Sequence, residues 1–253
     1  KNESGGDPEI ITELKYEDFL KYHKEYYHPS NSYIYIYGDM DVNERLEYLD
    51  REYLSDFDVS DVDIHANIER QAAFDKPVYE TKPYAITEDE SLEDNTYLSY
   101  NAVIGTSVDA KLYLAFQILD YALVMTPGAP VKQALLDAGI STDVYSSYET
   151  SLYQPVYSIV AKNSNSKEQD RFVSVINDTL EKLVKDGINE RTIEAGINYY
   201  EFKYREADYG PYPKGLMYYL TMMDSWLYDE TKPFIHIEAG DTFDELKKNA
   251  RNG

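Results

Sequence analysis

The run from Asp109 to Gly139 constrains the fold more than any other part of the sequence. It reads as a long apolar helix, a tight break at Thr126-Pro127-Gly128, and a second short helix. Leu112, Phe116, Leu119 and Leu123 recur at helical spacing and form one stripe. Ala115, Ala122 and Val124 widen the stripe, so little of the helix surface can face water. A helix this apolar has to be covered, and a sheet is the expected cover. Thr126 and Pro127 stop it, Gly128 relieves the backbone at the turn, and Pro130 suits a new first turn. Leu135 and Leu136 bury the second helix, and Gly139 is its expected C-terminal cap.

The flanking sequence supplies that cover. Two strands are predicted at Val78 to Ile86 and Thr96 to Ile104, separated by an acidic turn. In the second, Leu98, Tyr100, Ala102 and Ile104 share one face. Two more strands are expected at Thr142 to Tyr148 and Leu152 to Ala161, with Pro155 making the start of the latter an edge or a bulge. Ser166 with Gln169 suggests a capping box opening a helix through Phe172, Ile176, Leu180 and Leu183, closed by Gly187. Asn189 caps a further helix with Ile193, Ile197, Tyr200 and Tyr204. After the Gly210-Pro211-Tyr212-Pro213 break, Leu216, Leu220, Met223 and Leu227 mark another, and a last amphipathic piece runs from Asp241 to Ala250. Strand pairs alternating with helix pairs give an α+β class, helices packed on one face of a mainly antiparallel sheet.

The N-terminal part has a different look. Phe19, Leu20, His23 and Tyr27 lie on a helix ended by Pro29. Ser32 to Tyr37 alternates strictly, with Ile34 and Ile36 on one side and Tyr33, Tyr35 and Tyr37 on the other. A second helix runs from Val42 to Leu54. One strand cannot make a sheet, so this unit is expected to be the tail of a domain. Ser55 to Lys76 lacks a sustained period and reads as a linker. With 253 residues the chain would hold one large domain, or one domain plus pieces. Beginning with Lys1 and ending at Gly253, it is expected to be part of something longer.

Charge narrows the partners. Asp and Glu number 47 against 24 Lys and Arg, a formal net charge of −23 that repels nucleic acid and anionic membranes and permits cationic peptides. No secretory leader or membrane-spanning run is expected. The chain has no cysteine, which removes disulfides and thiolate metal sites and fits a reducing cytoplasm. Tyrosine is abundant, 27 residues against 8 Phe, either as a compositional habit or because half-buried chamber walls suit an apolar ring with a polar tip.

Motifs for chemistry are missing. His23 and His28 are five residues apart, about 140° around a regular helix, and cannot grip one ion. His28 belongs in a helix's last turn; His65 and His236 are expected to be ordinary surface residues. The acids from Asp56 to Asp63 lack the central glycine and closing glutamate of a calcium loop. Asn177-Asp178-Thr179 matches a glycosylation acceptor by chance, inside a predicted helix. No phosphate loop or nucleophile elbow occurs, and nothing favours a Ser-His-Asp constellation.

Ser4-Gly5-Gly6-Asp7-Pro8, Tyr16-Glu17-Asp18-Phe19-Leu20 and the run from His23 to Ser32 resemble the presequence-protease and falcilysin branch of the pitrilysin/insulinase zinc metallopeptidases. The likeness continues at Ile118-Leu119-Asp120-Tyr121, Thr126 to Pro130, Ala134 to Gly139 and Gln154-Pro155. It returns at Ile193-Glu194-Ala195, Glu201-Phe202 with Arg205-Glu206, Pro213 to Leu216 and Trp226-Leu227-Tyr228. The order and spacing of these blocks carry the resemblance, and no single one is diagnostic.

The resemblance implies paired α/β rolls closing over a chamber, with zinc on an inverted H-x-x-E-H helix. That motif does not occur in this sequence. Residues 1–57 would then be the C-terminal tail of the first, catalytic roll and 58–76 a linker. Residues 77–240 would be the complete second, non-catalytic roll, and 241–253 the start of the interdomain helical hairpin. The implied parent is a zinc endopeptidase for short unstructured peptides, this portion being inactive alone; the alternative is a piece of a catalytically inactive relative that binds peptides or acts as a scaffold. The resemblance implies zinc for the parent and no cofactor for this portion, with peptides and the remaining halves of the parent as partners. In insulinase-type relatives the equivalent roll offers a strand edge that anchors a substrate's N-terminus. Here Gly128, Tyr145 and Ser147 would be nearest such an edge, which tertiary packing either exposes or covers.

Overall fold

A computed structural model describes residues 6–59 and 68–251. The chain divides into two compact units, Lys1–Ile68 and Glu69–Gly253.

The first unit is helical. A short α1 (Pro8–Ile11) starts at Asp7, whose carboxylate accepts the Glu9 amide at 2.9 Å. It is followed by α2 (Tyr16–Tyr26) and α3 (Val42–Glu52), the latter capped by Asp41 through the Glu44 amide at 3.1 Å. His28 closes the turn at Pro29–Asn31 by accepting the Ser30 amide on Nδ1 at 3.2 Å, and His23 stacks on Tyr27. The expected strand at Ser32 to Tyr37 is not formed; residues 32–37 enter no β-ladder among the described residues. Alternation alone cannot hold a strand without a sheet to join. The apolar stripes stay open for the same reason: Phe19, Leu20 and Leu46 are exposed, and α2 and α3 bury no residue.

The second unit contains the core. Its sheet has three antiparallel strands in the order β1-β3-β2: β1 (Thr96–Val103), β2 (Asp143–Glu149) and β3 (Val156–Ser164). The covering helices are α4 (Ala110–Asp120), α5 (Pro130–Asp137) and α6 (Gln169–Asp186). Leu98, Val144, Tyr157, Ile159 and Ala161 point from the sheet into a core with Leu123, Val124, Val131, Leu135, Phe172 and Ile176. Asp109 caps α4 through the Leu112 amide at 2.9 Å. The helix is buried on two sides, because Leu114 and Ile118 pack against Ile197 of α7 (Glu190–Glu206) and Phe243 of α9 (Gly240–Arg251). A π turn at Tyr121–Met125 follows α4 directly, which spacing had not indicated. By length and mean hydropathy the stretch 110–137 would pass for a membrane span, contrary to expectation. It is instead a core element, broken at Thr126–Gly128 and bearing the buried carboxylate of Asp120.

Three further expectations need correction. Val78 to Ile86 forms no strand, and Val78 and Tyr79 are exposed. Pro83, lying inside the segment, lacks the N–H that a ladder needs and restricts Lys82. The segment is held instead by Tyr84, whose hydroxyl donates to the Asn95 side chain at 2.7 Å and whose ring meets Tyr97 edge-on. Asn165, one residue before the proposed capping box, caps the 3-10 turn Ser166–Glu168 that leads into α6, accepting the Lys167 amide at 3.1 Å. In α8 (Lys214–Trp226) Leu216 and Leu220 are exposed, as is Leu227 just beyond, whereas Met222, Asp224 and Ser225 are buried. The inward face of α8 is partly polar because Asp224 and Ser225 find partners there, Ser225 Oγ donating to the Lys232 carbonyl at 2.7 Å.

Candidate functional site

Among the described residues, the helices in the core with the sheet pack on one of its faces. Alternation in β2 sends Val144, Ser146 and Tyr148 inward and leaves Asp143, Tyr145, Ser147 and Glu149 on the other side. Tyr145 is 43% exposed and Ser147 is also exposed. The structure therefore brings Tyr145 and Ser147 together, two residues apart on the outward face of one strand. Among the described residues β2 has a ladder partner on one side only, the strand β3.

Gly128 lies elsewhere, in the turn between the π turn and α5. It adopts φ +73°, with nothing within 4 Å of where a Cβ would stand. Both elements flanking this turn pack against β2, and Val124 and Val131 share the core with Val144.

The outward face carries a polar row across all three strands. Ser147 lies opposite Ser158 and Ser158 opposite Asn101. Ser158 Oγ donates to Asn101 Oδ1 at 2.6 Å, and Ser99 Oγ donates to the same atom at 2.9 Å. With its oxygen doubly engaged, the carboxamide is held with its N–H₂ as the remaining group to offer. Asn101 and Ser158 were missed by sequence reasoning; polar residues at alternate positions of adjacent predicted strands were the available signal.

Behind the sheet lie buried polar groups. Tyr157 donates to Asp120 at 2.9 Å. Tyr113 donates to Asp224 at 2.7 Å and Thr150 donates to the same oxygen at 3.2 Å. Burial raises both carboxyls above their usual range, against the pull of these hydrogen bonds. Burial also pushes Tyr148 up to about 12. His236, expected at the surface, is buried: its ring stacks on Tyr113 at 3.9 Å between centroids, and its Nε2–H donates to the Ser107 carbonyl at 2.8 Å. Burial lowers its pKa to about 4. A proline turn nearby in sequence said nothing of the aromatic stack it folds onto. His65 lies outside the described residues. These groups join elements together and align no nucleophile with a base.

No group of three or more His, Cys, Asp or Glu side chains among the described residues could hold a metal ion. His23 stacks on Tyr27, the His28 Nδ1 takes a backbone amide, and His236 is spent on Ser107. Among the described residues the donor set does not fit zinc.

Residues 13–200 match a family described as the Peptidase M16 inactive domain. The chain is 43% identical over 244 residues to Protein HypA of Clostridium perfringens, covering 96% of this chain and 25% of that protein. It is 34% identical over 247 residues to Presequence protease 1, chloroplastic/mitochondrial, of Arabidopsis thaliana, covering 97% of this chain and 23% of that protein. The chain thus spans about a quarter of the length of these curated relatives. The crystal structure of a protease from Helicobacter pylori shares the fold with a TM-score of 0.57 at 14% identity, covering 96% of this chain and 58% of that one.

Proposed function

The chain belongs to the Peptidase M16 inactive domain family, and from that premise we propose that it is a non-catalytic wall of a zinc-dependent endopeptidase that degrades short unstructured peptides inside a closed chamber. In this reading residues 77–240 act as a complete second roll, preceded by the tail of a catalytic roll at 1–57 and a linker at 58–76. Residues 241–253 begin a helical hairpin, and the remainder of the parent chain supplies the zinc and the closing half. The cysteine-free sequence supports a reducing compartment, the cytoplasm among them.

One observation carries the proposal: β2 is bonded on one side only among the described residues, and its outward side chains, Tyr145 and Ser147, are exposed. An extended peptide adds to such an edge through main-chain hydrogen bonds, independently of most of its sequence. Gly128 lies in the turn beside the elements that support the strand.

The test uses the chain with and without added zinc and a fluorogenic unstructured peptide. Binding without cleavage, with slowed amide exchange at residues 143–149, supports the reading. Cleavage of the peptide by this chain overturns it, and so does stoichiometric zinc retained through dialysis.

A further inference from the structure

Resting on the reading that β2 takes up an extended peptide, we propose that Glu149 selects which one: the edge accepts an antiparallel strand with a lysine or arginine opposite Glu149 and rejects a second copy of itself. Asp143 and Glu149 stand at the two ends of β2, on the outward face. Asp143 lies across from Lys162 of β3, whose ammonium sits over the Tyr97 ring, 5.9 Å from its centroid. Glu149 lies across from Val156. Its carboxylate accepts only from the Ser151 amide at 3.3 Å and hydroxyl at 2.6 Å, and no cation pairs with it among the described residues. Asp224 accepts from Thr150, the residue after Glu149, at 3.2 Å, so a second carboxylate lies near this end of the strand.

An incoming strand places a side chain about 5 Å from Glu149 at the directly opposite position, where opposite charges attract and like charges repel. A second copy meets that rule badly. In the antiparallel register pairing the whole of β2 with itself about Ser146, Asp143 of each copy faces Glu149 of the other at both ends. The formal charge of −23 adds long-range repulsion between copies and attraction for a cationic peptide.

Two synthetic peptides of alternating valine and threonine, matched to β2 in length, test this, one ending in lysines and the other in glutamates. Each is titrated against the full chain at low salt while amide exchange at residues 143–149 is followed. The lysine peptide is expected to bind about fivefold more tightly. Glu149→Gln should erase most of that preference and Glu149→Lys should reverse it; the site is exposed, so both variants should fold. Equal affinities with 143–149 protected by both peptides overturn charge selection and leave strand addition standing. A lysine preference untouched by Glu149→Gln overturns the role of Glu149. Absence of protection with either peptide overturns the edge reading and this inference with it.

Discussion

The Tyr113 hydroxyl donates to Asp224 Oδ2 at 2.7 Å, tying α4 to α8 through a carboxylate that would otherwise be buried with one weak partner. Tyr113→Phe keeps the ring and its stack on His236 but removes the donor. It is expected to destabilise the chain by about 1–3 kcal/mol in urea unfolding, since a buried acceptor left short of partners loses its desolvation energy uncompensated. Thr150→Val, which removes only the 3.2 Å bond, should have the smaller effect.

A second prediction concerns acid. His236 has its pKa lowered from 6.5 to about 4 by burial, so the folded state resists a proton that the unfolded chain accepts. Its contribution to stability is complete above pH 6.5 and is lost as pH falls towards 4, by on the order of 3 kcal/mol. Asp120 and Asp224, with raised pKa values, act in the opposite sense and blunt the loss. His236→Gln retains an N–H donor for the Ser107 carbonyl. Chemical denaturation between pH 7 and 4 should therefore show a shallower decline with pH in the variant than in the parent chain. Equal slopes would remove His236 as the acid-sensitive group.

These two predictions rest on contacts far apart in sequence, and that is where sequence reasoning was blind. The break at Thr126-Pro127-Gly128, the cap at Asn189 and the turn at Gly187 were legible because each is a local preference of a few consecutive residues. The inward face of β1 was legible because alternation repeats along a strand. Val78 to Ile86 was misread because apolar content was weighed above the missing N–H of Pro83. The α8 stripe misled because Asp224 outcompeted leucines for the interior through Tyr113 and Thr150, partners 111 and 74 residues away. Tyr145 and Ser147 could be placed on a strand, but Asn101 and Ser158 join them only through register, which spacing does not specify.

Gly196 offers a packing test. A Cβ there would stand 3.1 Å from Tyr121 Cδ1, 3.2 Å from Ile118 Cγ2 and 3.3 Å from the Ile118 carbonyl oxygen. The backbone atom cannot move aside without shifting α4, so the small residue sets how closely α7 approaches that helix. Gly196→Ala gains roughly 1 kcal/mol of helix propensity but pushes the helices apart. The expected net result is a loss of about 1 kcal/mol, and Gly196→Val should lose more, as overpacking costs typically about 1–3 kcal/mol. A rise in thermal midpoint for Gly196→Ala would mean that the two helices adjust freely.

The acidic ends of β2 lead to a last prediction, about self-association. An edge with a bonded partner on one side is a template for other strands, and like charges at pairing positions are one way of keeping a copy out. Here Asp143 and Glu149 meet each other twice in the register that pairs β2 with itself. Neutralising both, as Asp143→Asn with Glu149→Gln, removes that repulsion while Val144, Tyr145 and Tyr148 still offer good strand surface. The double variant should associate at lower concentration than the parent chain in sedimentation velocity runs. Raising the salt should bring the parent chain towards the variant's behaviour, because screening weakens exposed charges. Identical concentration dependence for the two proteins at low salt would show that something other than these carboxylates keeps the edges apart.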